Sequence, residues 1–237
     1  MDIVSYLLGK NSSGGSSSLQ EKDITITENK LTQVTADSGY DGLSKVNITT
    51  NVPSVNDYFN TTISDNTNNA NIPTQILLKT PDIQVANNVT SLYLGFANSK
   101  MSIFPKITFG SNVQGVGSLF QGCSSATAID CSGFNTTGVL VMSSMFEGCS
   151  KLTSLDLSNF YTPNLANVYH MFYGCSSLMH IDIRNMTLSN ITSSGSYQGM
   201  FQSVPSNCEI IVKDDIEKTW ITSKFTNLTN VKTVAEL

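Results

Sequence analysis

The sequence has few charged residues and no cluster of basic ones. Asp, Glu, Lys and Arg make up 13% of the 237 residues, whereas about 25% is usual for a soluble protein. The net charge is -5, so the basic surface that nucleic-acid binding requires is not expected. Ser, Thr and Asn are abundant instead. We therefore expect a surface made soluble by hydroxyls and amides, as on extracellular or particle-borne proteins.

The opening segment MDIVSYLLGK also lacks the features of a leader. Its apolar run is only a few residues long, Asp2 is acidic, and no basic region precedes the apolar residues. This pattern predicts neither a signal peptide nor a membrane span. We expect a chain that is made and folded in the cytosol, with its five cysteines reduced, since an odd number cannot pair completely within one chain.

Motifs that would indicate catalysis or metal binding are missing from the sequence. There is no CxxC, GxSxG, GxGxxG, P-loop or HExxH pattern, and the two histidines, His170 and His180, have no Cys or Ser partner at a recognisable spacing. The sequence therefore predicts a protein that is not an enzyme and that needs no cofactor and no metal.

A repeat dominates the second half of the sequence. MFEGCSKLTSLDLSNF (145–160) follows LFQGCSSATAIDCSGF (119–134) and precedes MFYGCSSLMHIDIRNM (171–186), so the three copies begin at evenly spaced positions. Leu152, Leu155, Leu157 and Phe160 have the spacing of a leucine-rich-repeat strand, and the apolar residues before them have helical spacing. We expect a mixed α/β solenoid: about six short parallel strands stacked with short helices, each helix ended by a glycine such as Gly148.

Composition divides the chain into five parts. The Gly/Ser stretch NSSGGSSS separates an apolar N-terminal segment from the rest, and strand-like alternation follows it. We predict an anchor segment with linker (1–22), a small β module (23–54), a connection (55–74), the solenoid (75–213) and a C-terminal cap (214–237). The anchor would dock on a partner through Ile3, Val4, Tyr6, Leu7 and Leu8. In the cap, Asp214 or Asp215 would begin a helix that carries Ile216, Trp220 and Phe225, with Trp220 as a plug.

Two columns of equivalent residues are candidates for chemistry. Cys123, Cys149 and Cys175 recur after the glycine, and we interpret them as buried core residues. Asp130, Asp156 and Asp182 alternate with inward-pointing residues, which places them on the outer face of the strands. Stacked carboxylates could bind calcium, act as a glycosidase pair, or accept hydrogen bonds from backbone or serine groups of the adjoining repeat. The last interpretation is favoured, because a structural residue recurs once per repeat.

The outer face is the predicted ligand or partner surface. Around the aspartates, the residues that vary between repeats would give this face its specificity, and His180 and Arg184 could meet an acidic partner. Tyr161, Tyr169 and Tyr173 could stack on sugars or fill space. The predicted face consists of Ser154, Asp156, Ser158, His180, Asp182 and Arg184.

Three segments resemble known families. MFEGCSKLTSLDLSNFYTPNLANVYHMFYGCSSL resembles the BspA-type leucine-rich repeat, and this likeness covers roughly residues 75–212. ITITENKLTQVTADSGYDGLSKVNITTNV resembles a short β module of structural proteins from phages and prophages of Gram-positive gut bacteria. MDIVSYLLGK followed by Gly and Ser resembles the start of such virion proteins. In bacteria, BspA-type repeats lie on secreted surface adhesins.

Together these resemblances imply a phage virion surface protein, assembled in the host cytoplasm. Residues 1–22 would hold it to other virion proteins, as part of a tail fibre or tip or as a capsid decoration or head fibre. The repeats would attach to a host cell-surface glycan or protein, without contacting nucleic acid or entering a membrane; a homo-oligomer is left open. The alternatives are a purely architectural protein without a ligand and, third, a glycan-active enzyme.

Overall fold

A computed structural model describes most of the repeat region and parts of the chain before it. The described residues are 20–26, 43–50, 82–85, 89–93, 96–98, 102–104 and 106–237. The predicted anchor side chains, Ile3 to Leu8, lie outside these ranges.

A first four-stranded sheet contains only parallel pairs. Its order is β1-β2-β3-β4, and each strand pairs with the next one in the chain. Asp23 pairs with Asn47 and Ile83 with Ile107, so the two pairs have the same separation in sequence. The strands are β1 (Gln20–Ile26), β2 (Leu43–Thr50), β3 (Asp82–Val85) and β4 (Ile107–Thr108). Strands that we expected in the β module and in the repeats therefore lie in one sheet, and β1 begins before the predicted start of the module, at Gln20.

A second sheet, also parallel, follows along the chain in the order β5-β6-β7-β8. Isolated parallel bridges precede it, such as Phe109 with Phe134 and Val141 with Asn167. The strands are β5 (Ser154–Asp156), β6 (His180–Asp182), β7 (Glu209–Val212) and β8 (Val231–Thr233). A single α-helix, α1 (Asp215–Lys224), and two 3₁₀ turns, Ser194–Ser196 and Val234–Glu236, complete the described elements. Parallel sheets with few helices agree with the predicted class in this coarse sense.

The short helices predicted ahead of each strand are absent from the described repeats. Residues 143–148 and 169–174 form successive turns instead, each after an isolated bridge residue. Amides of Met142, Ser144, Phe146 and Gly148 donate to carbonyls of the following repeat at 2.7–2.9 Å, while Met145 and Glu147 donate to the third residue before them. An α-helix would send each of these amides to the fourth residue before it. The amides are engaged between repeats, and the helical spacing of the apolar residues reflects tight turns.

Left-handed backbone recurs at two positions in each turn segment. Gly122, Gly148 and Gly174 have φ values of 72–73°, and one turn before each lies a residue with φ of 54–55°: Ser118, Ser144 and His170. Glycine adopts this conformation without strain, whereas other L-residues do so at a cost. The predicted role of these glycines, a left-handed stop, is therefore correct, although they end turns and not helices.

Buried columns of identical side chains form the core. Phe96, Phe120, Phe146, Phe172 and Phe201 stack with ring centroids 5.4–5.9 Å apart. Offset stacking at this separation is favourable in addition to the apolar area that it buries. Leu152, Leu155, Leu157 and Phe160, the predicted strand pattern, are all buried as well. The recurring apolar positions of the sequence are thus the core of the protein.

The C-terminal segment closes this core largely as predicted. Asp214 caps α1 by accepting hydrogen bonds from the Ile216 and Glu217 amides. Trp220 is buried, and its indole N–H donates to the Ile191 carbonyl at 3.2 Å. Ile216, which we expected to pack inward, is 67% exposed. In its place Glu217 is buried, and its carboxylate accepts hydrogen bonds from Leu188 and Ser189.

We expect Gly148→Ala to lower the free energy of unfolding by about 1–2 kcal/mol, the cost of left-handed backbone for alanine. Space is not the obstacle, because a Cβ at position 148 would lie 3.5 Å from its nearest neighbour, Gly122. Gly148→Asn should cost less, since Asn98 already adopts φ of 61° at the equivalent position. Urea unfolding measures both values.

Gly195→Ala is the matched control. Gly195 has ordinary φ, and the nearest atom to an added Cβ is 3.9 Å away, so this variant should be almost as stable as the unchanged protein. Equal stability for Gly148→Ala and Gly195→Ala would contradict the assigned role of the left-handed column.

Candidate functional site

The register of β5 and β6 brings the predicted face together. Ser154 pairs with His180, and Asp156 pairs with Asp182. Alternation along each strand directs these four side chains to one face, because Leu155 and Ile181 between them are buried. Ser158 and Arg184 follow shortly after the paired aspartates. The six predicted residues thus occupy two neighbouring rows; we call them the outer face.

Each aspartate of the column stabilises its own turn. The carboxylates of Asp130, Asp156 and Asp182 accept hydrogen bonds from the backbone amides of Ser132, Ser158 and Arg184, at 2.8, 2.9 and 3.1 Å respectively. Hydrogen bonds from the two serines hold the pKa values of Asp130 and Asp156 below their usual range. Hydrogen bonding is the role that we favoured, but the donors lie in the aspartate's own repeat and not in the adjoining one.

Arg184 and Asp182 form a close ion pair on the outer face. The Arg184 Nε lies 3.0 and 2.9 Å from the two carboxylate oxygens of Asp182, and the guanidinium Nη2 also donates to Oδ2. This hydrogen bonding raises the pKa of Arg184. Because Asp182 is only 6% exposed, removing the arginine would leave a buried carboxylate without its counter-charge.

A second cluster of charges adjoins the first and includes two residues that the sequence analysis missed. Glu209 lies opposite His180 in the sheet, with 2.9 Å between His180 Nδ1 and its Oε2. Lys232 donates to the other carboxylate oxygen of Glu209 at 2.7 Å. These hydrogen bonds, first that of Lys232 and then that of His180, lower the pKa of Glu209.

Irregular spacing explains why Glu209 and Lys232 were missed. Ile181 pairs with Ile210, and Ile210 pairs with Val231, so the step between strands first lengthens and then shortens relative to that of the regular repeats. The prediction of outer-face residues assumed that the number of residues between equivalent positions of successive repeats is constant. The alternation in CEIIVKDD was the available signal, since it places Glu209 on the same face as His180.

The two basic residues of the predicted face already have acidic partners within the protein. We considered His180 and Arg184 as partner-binding residues. Both are already engaged by acidic side chains of the protein, His180 by Glu209 and Arg184 by Asp182.

Three cysteines form a buried column, as predicted. Cys123, Cys149 and Cys175 are fully buried, and each thiol donates to a phenylalanine carbonyl of the preceding repeat at 3.1–3.2 Å. All five cysteines are free and buried. Burial raises the pKa of Cys175 to about 12 and that of Cys208 to about 11. Cys175 and Cys208 therefore stay protonated at neutral pH. The three thiols of the column are structural hydrogen-bond donors.

The predicted tyrosines differ in their surroundings. Tyr161 is 59% exposed, but Tyr169 and Tyr173 cover the two sides of His170, with ring centroids 3.9 and 4.5 Å from the imidazole. Glu147 lies 3.7 Å from His170 Nδ1. Tyr169 and Tyr173 therefore fill space around a histidine, whereas Tyr161 is available for stacking.

Two other kinds of site are absent from the part of the chain that the structure describes. There, no group of three or more His, Cys, Asp or Glu side chains is arranged to hold a metal ion. No helix among the same residues is both long and apolar enough to cross a membrane.

One comparison with known proteins gives a match, and it lies in the repeat region. Residues 96–213 match the family model described as "Mycoplasma protein of unknown function, DUF285". The repeat region is therefore similar to a DUF285-type domain. This type of domain is associated with BspA-like repeat proteins, which agrees with the resemblance noted in the sequence. No curated protein and no solved structure matches the chain.

We expect the native protein to react with a thiol reagent such as 5,5′-dithiobis(2-nitrobenzoate) at pH 8 at least a hundredfold more slowly than the protein unfolded in urea. The reason is that all five thiols are buried and those of Cys131, Cys175 and Cys208 have pKa values raised by burial. Absorbance of the released thiolate measures the rate. Rapid reaction of one native thiol would identify a reactive cysteine and contradict the structural assignment.

Proposed function

We propose that this protein is a phage virion surface protein that attaches to host cells through the outer face of its repeats. In this proposal the N-terminal segment holds the chain to the particle, and residues 75–213 form a leucine-rich-repeat-like solenoid that displays the face. Assembly takes place in the host cytoplasm. The resemblances of the N-terminal segment and β module to phage structural proteins support the virion location.

The hydrogen bonds between repeats support the solenoid. Successive repeats are joined along both the strands and the turns, as with Leu155 and Ile181 in the sheet and Phe146 and Met171 in the turns. Each repeat then contacts mainly its neighbours, which is the defining property of such architectures.

The functional proposal rests on a difference between the interior and the outer face in how much equivalent residues vary from repeat to repeat. Interior positions repeat the same residue, as in Phe120, Phe146 and Phe172. On the outer face the aspartates recur, but the rows on either side of them vary between repeats. One row reads Ala128, Ser154, His180 and Glu209, and the row beyond the aspartates reads Ser132, Ser158 and Arg184. A uniform scaffold that holds a varied polar surface is suited to recognition.

The charges of the outer face define the surface that a partner would meet. Asp182 and Glu209 are neutralised by Arg184 and Lys232, respectively. Asp130 and Asp156 are exposed and bonded to serines, so this end of the face presents two carboxylates to a partner. Single contacts with such an exposed surface are weak, and many copies on one particle would supply avidity.

Deletion of residues 1–19 tests the attachment to the particle. This deletion stops before Gln20, the first residue of β1, so every described strand stays in the chain. We expect the variant to be as stable as the full chain in urea but to be missing from purified particles, as measured by immunoblotting. Replacement of residues 11–18 by an unrelated Gly/Ser linker is the control and should be incorporated normally. Normal incorporation of the deletion variant would refute the anchor.

Ser154→Arg tests the outer face as the host-binding surface. Ser154 is exposed in the middle of the face, so the bulky cation should block contact with the host surface without disturbing the core. We expect binding of particles or of a multivalent preparation to host cells to fall at least fivefold, measured by flow cytometry.

Ser124→Arg makes the same change at an exposed turn outside the strands and should bind within twofold of the unchanged protein. If both variants bind equally well, the host-binding surface lies elsewhere. If the folded, unchanged protein binds no host cell, the purely architectural alternative replaces the attachment proposal.

A further inference from the structure

The last turn segment of the repeats leaves three backbone donors unused. In the preceding repeat, alternate amides donate to carbonyls of the next repeat at 2.9–3.1 Å: His170 to Gln198, Phe172 to Met200 and Gly174 to Gln202. The equivalent amides, one repeat later, belong to Gly199, Phe201 and Ser203. These three N–H groups have no acceptor among the described residues.

The three donors line a cleft beside the C-terminal cap. The cleft has a volume of about 620 Å³ and lies between the last turn segment and the end of α1. Its other lining residues include Gln198 and Gln202 on one side and Lys224, Thr226 and Asn227 on the other. This volume is within the range of about 300–1,000 Å³ that is usual for ligand sites.

The backbone at the three unused amides has the same conformation as the backbone at the hydrogen-bonded amides of the preceding repeat. Gly199 has φ of 65° where His170 has 55°, and Ser203 has φ of 67° where Gly174 has 73°. A backbone of the same form presents its N–H groups in the same arrangement. In the preceding repeat this arrangement binds carbonyls at every second residue of a neighbouring parallel chain. The acceptors in that arrangement, Gln198, Met200 and Gln202, belong to a turn segment with left-handed backbone at Gly199. The complementary ligand is therefore a peptide that adopts the same turn conformation.

The apolar core of the cleft is already closed. The position where a further repeat would add a phenylalanine next to Phe201 is taken by Phe225, with ring centroids 5.1 Å apart at 82°. An incoming peptide thus needs no large apolar anchor. Its affinity would come from main-chain hydrogen bonds and from the polar lining.

Lys224 determines the charge of the ligand. It is the one charged residue in the cleft lining. Its ammonium lies 5.3 Å from the centre of the Trp220 ring and 5.5 Å from that of Tyr197, an arrangement that favours the cation there. Within the described ranges Lys224 forms no ion pair. A carboxylate on the peptide would provide its counter-charge.

We infer that this C-terminal cleft binds an acidic peptide segment of a partner protein, held in the turn conformation of the repeats. The Gly199, Phe201 and Ser203 amides donate to alternate carbonyls of the segment, and Lys224 pairs with one of its carboxylates. This site is separate from the outer face, and the inference holds whether or not the protein attaches to host cells.

Amide hydrogen exchange measured by NMR tests the donors. In the free protein the amides of Gly199, Phe201 and Ser203 should exchange at least a hundredfold faster than those of His170, Phe172 and Gly174. The probe is a pool of N-acetylated heptapeptides with one central glutamate and randomised neighbours; the control pool has lysine in place of glutamate. The glutamate pool should slow exchange of the three amides, and the lysine pool should not.

Lys224→Gln tests the charge, and Lys151→Gln, at an exposed lysine of an earlier turn, is the matched control. For a glutamate peptide enriched from the pool, Lys224→Gln should weaken binding by about two- to fivefold, the range for an exposed ion pair, and Lys151→Gln should not change it. Fluorescence anisotropy gives both affinities.

Three results would overturn the inference. The first is the absence of any protection of the three amides by either pool. The second is equal binding of the enriched peptide by the Lys224→Gln variant and the unchanged protein. The third is equal protection by polygalacturonate with the same dependence on Lys224, which would identify the ligand as an acidic glycan and not a peptide.

Discussion

Hydrogen bonds from alternate amides of one repeat to carbonyls of the next are the constraint on which the other features of this protein depend. They fix the spacing between repeats, so that Phe146 must stack on Phe120 and Phe172. They also fix the direction of the backbone, which requires left-handed residues such as Gly148 where each turn reverses. Even the thiol of Cys149 follows this pattern, because it donates to a carbonyl of the preceding repeat. The repeated sequence motif is thus mostly a description of how one repeat attaches to another.

The outer face depends on the same register but not on the same residues. Since the backbone pairs β5 with β6 and the buried side chains lie on the opposite face, the side chains on the exposed face are free to differ between repeats. Ser154 and His180 are directly opposed, yet of the two only His180 contacts an acidic side chain, that of Glu209. The pairing of Arg184 with Asp182 relieves the repulsion that Asp182 and Asp156 would otherwise exert on one another. In each repeat the backbone therefore fixes the structure, and the outer side chains vary.

Much of this arrangement could be predicted from the sequence, and the errors have physical causes. The constant step between copies predicted the buried columns and the opposition of Asp156 and Asp182, because a regular repeat places equal positions side by side. It could not distinguish a helix from consecutive turns, since Val139, Met142 and Phe146 point inward in both. Glu209 and Lys232 were missed because the step between paired strands changes towards the C-terminus. The anchor at Ile3 to Leu8 lies outside the described residues and stays a prediction.

The C-terminal end shows that closing a core and satisfying a backbone are separate requirements. Exposed apolar surface is costly over its whole area, and the cap covers it with Trp220 and Phe225. An amide that faces water loses little, because water replaces the missing acceptor. The donors of Gly199 and Ser203 could therefore stay open without a large penalty, whereas an uncovered Phe201 could not. A repeat array that ends in this way keeps, at one edge, the same donors that hold its own repeats together.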